Sequence, residues 1–153
     1  MPLAFVTPRY VLEIALFAVC YFLAAHLGLQ LATVATQISE IWPATGVALA
    51  ILTLRGRRLW PAVLLGAVAA NIESGAPWYA STGIAVGNVL EAVAGATLLS
   101  LAEFRPSMKR LRDVAALFVL AAGLSTLVSA TIGVLTLCVS VLIVVRRAGG
   151  PPP

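Results

Sequence analysis

The sequence predicts an all-α fold, a polytopic transmembrane helical bundle of about five membrane segments. Composition is the first reason. Hydrophobic residues make up 61% of the chain, charged residues only 10%, and the mean hydropathy is +1.02. A water-soluble domain of this size needs far more polar surface. The second reason is a series of apolar runs, some at spanning length and some short of it. The third is that basic residues cluster between those runs, in alternation with acidic loops.

The first run, Tyr10 to Ala35, exceeds the roughly 20 apolar residues that a spanning helix requires. Arg9 precedes it, as in a signal peptide, but a signal core is about 7–15 residues, so the run reads as a retained helix over 10–35. The second run opens "EIWPATGVALA". Proline lacks an amide hydrogen and suits a first helical turn, and tryptophan favours the headgroup level. A short helix over 41–54 follows, closed by "LRGRR". The third, over 59–72, again opens with Trp-Pro, in "LWPAVLLGAVAANIE".

A loop, "ESGAPWYAS", leads to the fourth helix over 82–101. The fifth run, 114–145, would rise about 48 Å as one straight helix, against a hydrocarbon layer of about 30 Å. It must tilt and protrude, or break. "SATIG" (129–133) is the expected break, which would yield a sixth segment, because Ser, Thr and Gly weaken helix interiors. The tail, 146–153, contains "AGGPPP" and is expected to be disordered, with no soluble domain after it. Residues 1–145 thus read as one transmembrane domain.

Orientation follows from Arg55, Arg57 and Arg58 in one loop and Arg105, Lys109, Arg110 and Arg112 in another. The loops between carry Glu40 and Glu73 and no Lys or Arg. Positive-inside puts the arginine loops and the N-terminus in the cytoplasm of a multi-pass inner-membrane protein. Arg146 and Arg147 fall outside if the fifth run crosses once, and inside if it turns back. The arginines also read as contacts to the lipid bilayer.

The net charge of +4 is explained by this topology, and no nucleic-acid partner is expected. Cys20 and Cys138 lie in apolar runs and read as small hydrophobes. With a single histidine, His26, neither a metal site nor Ser-His catalysis is expected. The chain reads as a non-enzyme without a cofactor.

The chemistry concentrates in "GNVLEAVAG" (87–95). Gly83, Gly87, Glu91 and Gly95 recur every four residues, so they drift slowly around one helix face. Three of the four lack a side chain, and another helix can approach closely. Glu91 then points into a protein seam, with the Asn88 amide three residues before it. An acid at the bilayer centre costs about 2.5–3.5 kcal/mol on insertion scales, so it needs polar company. Candidate company comes from Asn71, Glu73, Glu40, Trp42 and Thr45, and from His26 and Gln30, four apart on the first helix. Gly46 and Gly66 are further candidates for close helix packing. Glu91 reads either as a structural anchor between helices or as a ligand, ion or proton site. Trp42, Trp60 and Trp78 read as interface anchors.

The ordered set "IWPATGVALAILTLRGRRLWPAVLLGAVAANI", "IAVGNVLEAVAGATLL", "LRDVAALF" and "SATIGVLTL" resembles the first membrane-associated sensor domain family of bacteria. The likeness runs from about Ile41 to Leu137, and Gly87 to Ala92 is its most specific part. After "GVLTL" it is expected to cease. The resemblance implies a sensory module of about eight helices, of which this chain holds about half. Such modules are usually fused to histidine kinases or to enzymes that make or degrade cyclic-di-GMP. It therefore implies an input module whose output lies elsewhere, on a separate cytoplasmic partner or a longer relative, with a homo-oligomer also open. A small ion or proton transporter and an inactive truncated remnant are the alternatives.

Overall fold

The computed structural model describes residues 7–34 and 42–147. Among them every regular element is helical. The elements are α1 (Pro8–Val34), α2 (Pro43–Arg55), a 3₁₀ turn (Arg57–Leu59), α3 (Trp60–Glu73), α4 (Trp78–Leu101), α5 (Leu111–Ala116), a π-helical stretch (Leu117–Leu124) and α6 (Ser125–Arg147). Pro8–Gln30, Trp78–Leu101 and the continuous Leu111–Arg146 stretch are long and apolar enough to cross a membrane. The 13 residues of α2 and 14 of α3 rise about 20 Å each, short of a full bilayer.

Cross-helix contacts fix the directions. Tyr10 Oη donates to the Arg58 carbonyl at 2.7 Å, and His26 meets Glu73 at the other end at 2.9 Å, so α1 and α3 run parallel. Between them α2 runs antiparallel to α1, with Trp42 and Pro43 beside Gly28 and the Arg55 guanidinium over the Phe17 ring. Across α4, Glu91 meets Thr126 and Asn88 meets Ser129, so α4 and α6 are antiparallel. The turns between α2 and α3 and between α3 and α4 collect the arginines at one end and Glu73 with Trp78 at the other. Gly56 (φ 103°) and Gly75 (φ 88°) make these turns in the left-handed region that other residues avoid.

The core is built mainly from small residues on α1 to α4, including Ala25, Ala44, Ala48, Val63, Ala67, Ala85 and Ala92, with Tyr21, Ile51, Leu52, Leu59 and Leu99 among the bulkier ones. Small side chains let the backbones come close, which is how helices gain packing energy in lipid. Gly66 shows it most directly: a Cβ there would lie 2.7 Å from the Ala18 carbonyl oxygen on α1.

The break expected at 129–133 is absent. α6 continues through it, because the Thr131 hydroxyl folds back onto the Leu127 carbonyl at 2.7 Å and Ser129 is engaged with α4. The departure from α geometry lies a turn or two earlier, at 117–124. Since the helix does not turn back, Arg146 lies at the end opposite the arginine loops. α4 starts at Trp78 rather than 82, because Pro77 in extended conformation (ψ 150°) launches the helix directly. The C-terminal helix also runs two residues past 145, so of the expected tail only 148–153 lie outside the described residues.

Candidate functional site

The polar residues of four helices meet around the middle of α4. Glu91 is 4% exposed, and its Oε1 accepts the Thr126 hydroxyl of α6 at 2.9 Å. One turn earlier, Asn88 Oδ1 accepts the Ser129 hydroxyl at 3.1 Å. Gly87 lies just beyond the second contact, where a Cβ would be 3.2 Å from Ile132. At Gly83 a Cβ would be 2.5 Å from the Thr136 methyl. At Gly95 it would meet both Leu49 of α2, at 2.9 Å, and Ser125, at 3.1 Å. The four-residue spacing therefore produces a seam in which glycines admit α6 and two hydrogen bonds hold it there. The buried Ser125 hydroxyl takes no part, since it donates to the Ala121 carbonyl of its own chain.

On the other side of α4, Asn88 shares a small space with Tyr21 of α1, Trp42 at the head of α2 and Asn71 of α3. The Tyr21 phenol, 1% exposed, has the Trp42 and Asn88 side chains as hydrogen-bonding neighbours. The space is about the size of one water molecule, with Tyr21, Trp42, Asn71 and Asn88 facing it among Ala25, Leu29, Ala67 and Ala70. Asn71 donates to the Ala67 carbonyl at 2.8 Å, which fixes its amide beside this space.

A second polar group sits at the Glu73 end. His26 Nδ1 faces Glu73 Oε2 at 2.9 Å, and the Gln30 amide faces Nε2 at 2.8 Å. One ring nitrogen donates to the carboxylate while the other accepts from the amide, which selects a tautomer. The group is half-exposed and separate from Glu91.

Of the residues singled out from sequence, Glu91, Asn88, Asn71 and Trp42 come together, and His26 joins Glu73 and Gln30 instead. Thr45 is half-buried; its backbone amide closes the first turn of α2 onto the Trp42 carbonyl at 3.2 Å. Glu40 lies outside the described residues. Gly66, Gly83, Gly87 and Gly95 are packing glycines. Gly46 is not: it is exposed, with no atom within 4 Å of where a Cβ would stand. It opens onto a cavity bounded by Leu99 of α4, the loop after it and Leu117, which is why no helix packs against it. Sequence reasoning passed over Tyr21, Thr126 and Ser129. A tyrosine in a lipid-length run looks like any aromatic there, and hydroxyls are common in membrane helices. The only available signal was the antiparallel register, in which 88 with 129 and 91 with 126 have equal sums.

Set beside known proteins, a family model for MASE1 matches residues 13–148. The chain belongs to the MASE1 family. This is the membrane-associated sensor family that the motifs resemble, and membership makes the chain a membrane sensory domain. The match reaches further at both ends than the motif likeness of 41–137 and continues past "GVLTL", contrary to expectation. No curated protein and no solved structure gives a significant match.

Proposed function

We propose that this MASE1 chain is the sensory input module of a bacterial inner-membrane signalling protein. Its arginine end lies in the cytoplasm, and its output is a histidine kinase or a cyclic-di-GMP enzyme, on a longer polypeptide or a separate partner. The chain itself carries out no catalysis. The stimulus is read as a shift of α6 against α4 across the Glu91 seam. The observation that carries this reading is the asymmetry of the seam: a buried carboxylate on a packed helix, answered among the described residues by hydroxyls on a helix at the edge. Hydroxyl partners are exchangeable, so a displacement of α6 along the seam trades one hydroxyl for another while the packing among α1 to α4 stays intact. The π-helical stretch 117–124 supports the same reading, since π-helical geometry marks places where a helix changes register. A stimulus needs only to favour one of two registers by its differential affinity.

The test replaces the sensory region of a full-length MASE1 protein of measurable output with residues 13–148 of this chain. Glu91→Gln and Gly87→Leu are expected to alter basal output by about fivefold or more at equal membrane abundance. Unchanged output in both variants, with the parent chimera active, would remove the seam from signalling. Proton or cation flux in proteoliposomes that is present in the parent chain and lost in Glu91→Gln would replace the sensory reading with a transport one.

A further inference from the structure

The arginine end holds a feature that sensing at Glu91 does not use. Two open cavities, of about 330 Å³ and 300 Å³, lie there side by side. They share Thr53 of α2, Leu99 of α4, and Phe104 and Pro106 of the loop that follows. Their remaining walls differ. The first is lined by Arg57 and Ser100; the second is almost wholly apolar, with Leu49, Leu54, Met108 and Leu117. A cationic chamber thus adjoins a hydrocarbon chamber.

Two side chains on the shared and cationic walls lack the partners their chemistry calls for. The Thr53 hydroxyl is buried and has no hydrogen-bond partner, although a helical threonine ordinarily bonds the carbonyl four residues back. A buried hydroxyl left so is unfavourable unless something fills the site. Arg57 is the second. Arg58 lies 3.6 Å from Glu13, Arg112 lies 3.4 Å from Glu103, and Arg55 covers the Phe17 ring at 5.8 Å. Arg57, like Arg105, Lys109 and Arg110, has no carboxylate within ion-pair distance among the described residues; it differs from them in lining the cavity and in giving one of its donors to the neutral Thr97 hydroxyl at 2.9 Å. Thr97 donates its own hydroxyl hydrogen bond to the Val93 carbonyl at 2.6 Å, so the guanidinium is tethered in place without being neutralised.

We propose that the paired cavities form a binding site for one anionic phospholipid. The phosphate is taken by Arg57 with the Thr53 and Ser100 hydroxyls, and an acyl chain occupies the apolar chamber. An arginine fork suits a phosphodiester, and its depth at the polar end of α2 and α4 is headgroup depth. The site does not depend on the sensory reading of the Glu91 seam.

The experiment uses the full chain in nonionic detergent, with bound lipid counted by native mass spectrometry. Dioleoyl-phosphatidylglycerol is titrated against dioleoyl-phosphatidylcholine, and inorganic phosphate serves as the headgroup-only probe. One phosphatidylglycerol is expected to be retained in clear preference to phosphatidylcholine, and Arg57→Gln is expected to weaken it about tenfold. Gly46→Leu extends into the apolar chamber, where Gly46 has open space, and should weaken lipid binding without loss of fold. Thr53→Val is expected to raise the Tm of the lipid-free protein while lowering lipid affinity, an opposition that general destabilisation does not produce. Equal retention of the two lipids, an equal loss in Arg105→Gln and Arg57→Gln, or an indifferent Gly46→Leu would overturn the proposal. Displacement of the lipid by inorganic phosphate at comparable concentration would reduce the site to one for a free anion, and overturn it too.

Discussion

α4 and the stretch ending in α6 are both long enough to span, yet they are buried in the opposite order to their hydropathy. The most apolar window of Trp78–Leu101 has a mean hydropathy of 1.7 and is 44% buried; that of Leu111–Arg146 reaches 2.6 and has no buried residue. In water the greasier helix would take the centre. In lipid it gains nothing by doing so, because acyl chains solvate leucine and valine as well as a protein core does. Position is decided by small residues and polar pairs. α4 has Ala80, Ala85, Gly87, Ala92, Gly95 and Ala96 on its buried faces, and its Glu91 needs partners. α6 turns Leu127, Val134, Leu135, Leu137 and Val141 outward. The module is therefore a packed four-helix body with an edge helix attached along one polar, glycine-lined seam.

Three sets of substitutions break or sharpen that contrast. The largest effect is expected inside the body, at Gly66→Leu. Its added atoms would meet the Ala18 backbone, which cannot move aside as a side chain can, and overpacking of that kind costs about 3 kcal/mol. Loss of the folded chain should be seen by denaturant unfolding in micelles, and a near-neutral result would mean the α1–α3 contact is not close. A matched pair comes next. Leu99→Ala, at a position 1% exposed, should lose about 2 kcal/mol through the cavity it opens. Leu137→Ala, at a position 54% exposed, should stay within about 0.5 kcal/mol. Equal losses would show α6 to be packed as α4 is.

The smallest effects are expected in the seam. Glu91→Ala removes the acceptor of Thr126, and Ser129→Ala removes the donor to Asn88. Interhelical hydrogen bonds in membranes average about 0.6 kcal/mol, so each should barely change global stability. Each should nonetheless raise the accessibility of the α4–α6 seam to a thiol reagent placed at Ile132→Cys. No change in labelling would make the two hydrogen bonds incidental to the attachment of α6.

The helices were legible because hydropathy and the Trp-Pro starts are local signals. Pro43 and Pro61 do sit in first turns. The start of α4 was misread because Trp78 and Tyr79 look like loop residues until Pro77 is seen to cap the helix. The sequence points to a break at 129–133 because Ser and Thr weaken a helix in water, whereas here the Ser129 hydroxyl bonds Asn88 across the seam and the exposed Thr131 hydroxyl bonds the Leu127 carbonyl of its own helix. Glu91 was legible as a residue that needs company, but its partner was not, since no local rule says which of many hydroxyls will stand opposite. Gly46 and Gly66 look alike in sequence, and one faces open space while the other touches backbone.

Residue order by itself determined that the chain is helical and membrane-embedded, that arginine and acidic loops fall at opposite ends, and that it carries MASE1 motifs. Each of these follows from short-range composition acting on a solvent of known thickness. Tertiary structure alone decided that α1 packs directly against α3, that α4 is central and α6 peripheral, and that Glu91 answers to Thr126. The reason is that lipid rewards no particular apolar face, so the arrangement rests on close approach and hydrogen-bond pairing. Those are properties of two surfaces together, which a single strand of sequence does not contain.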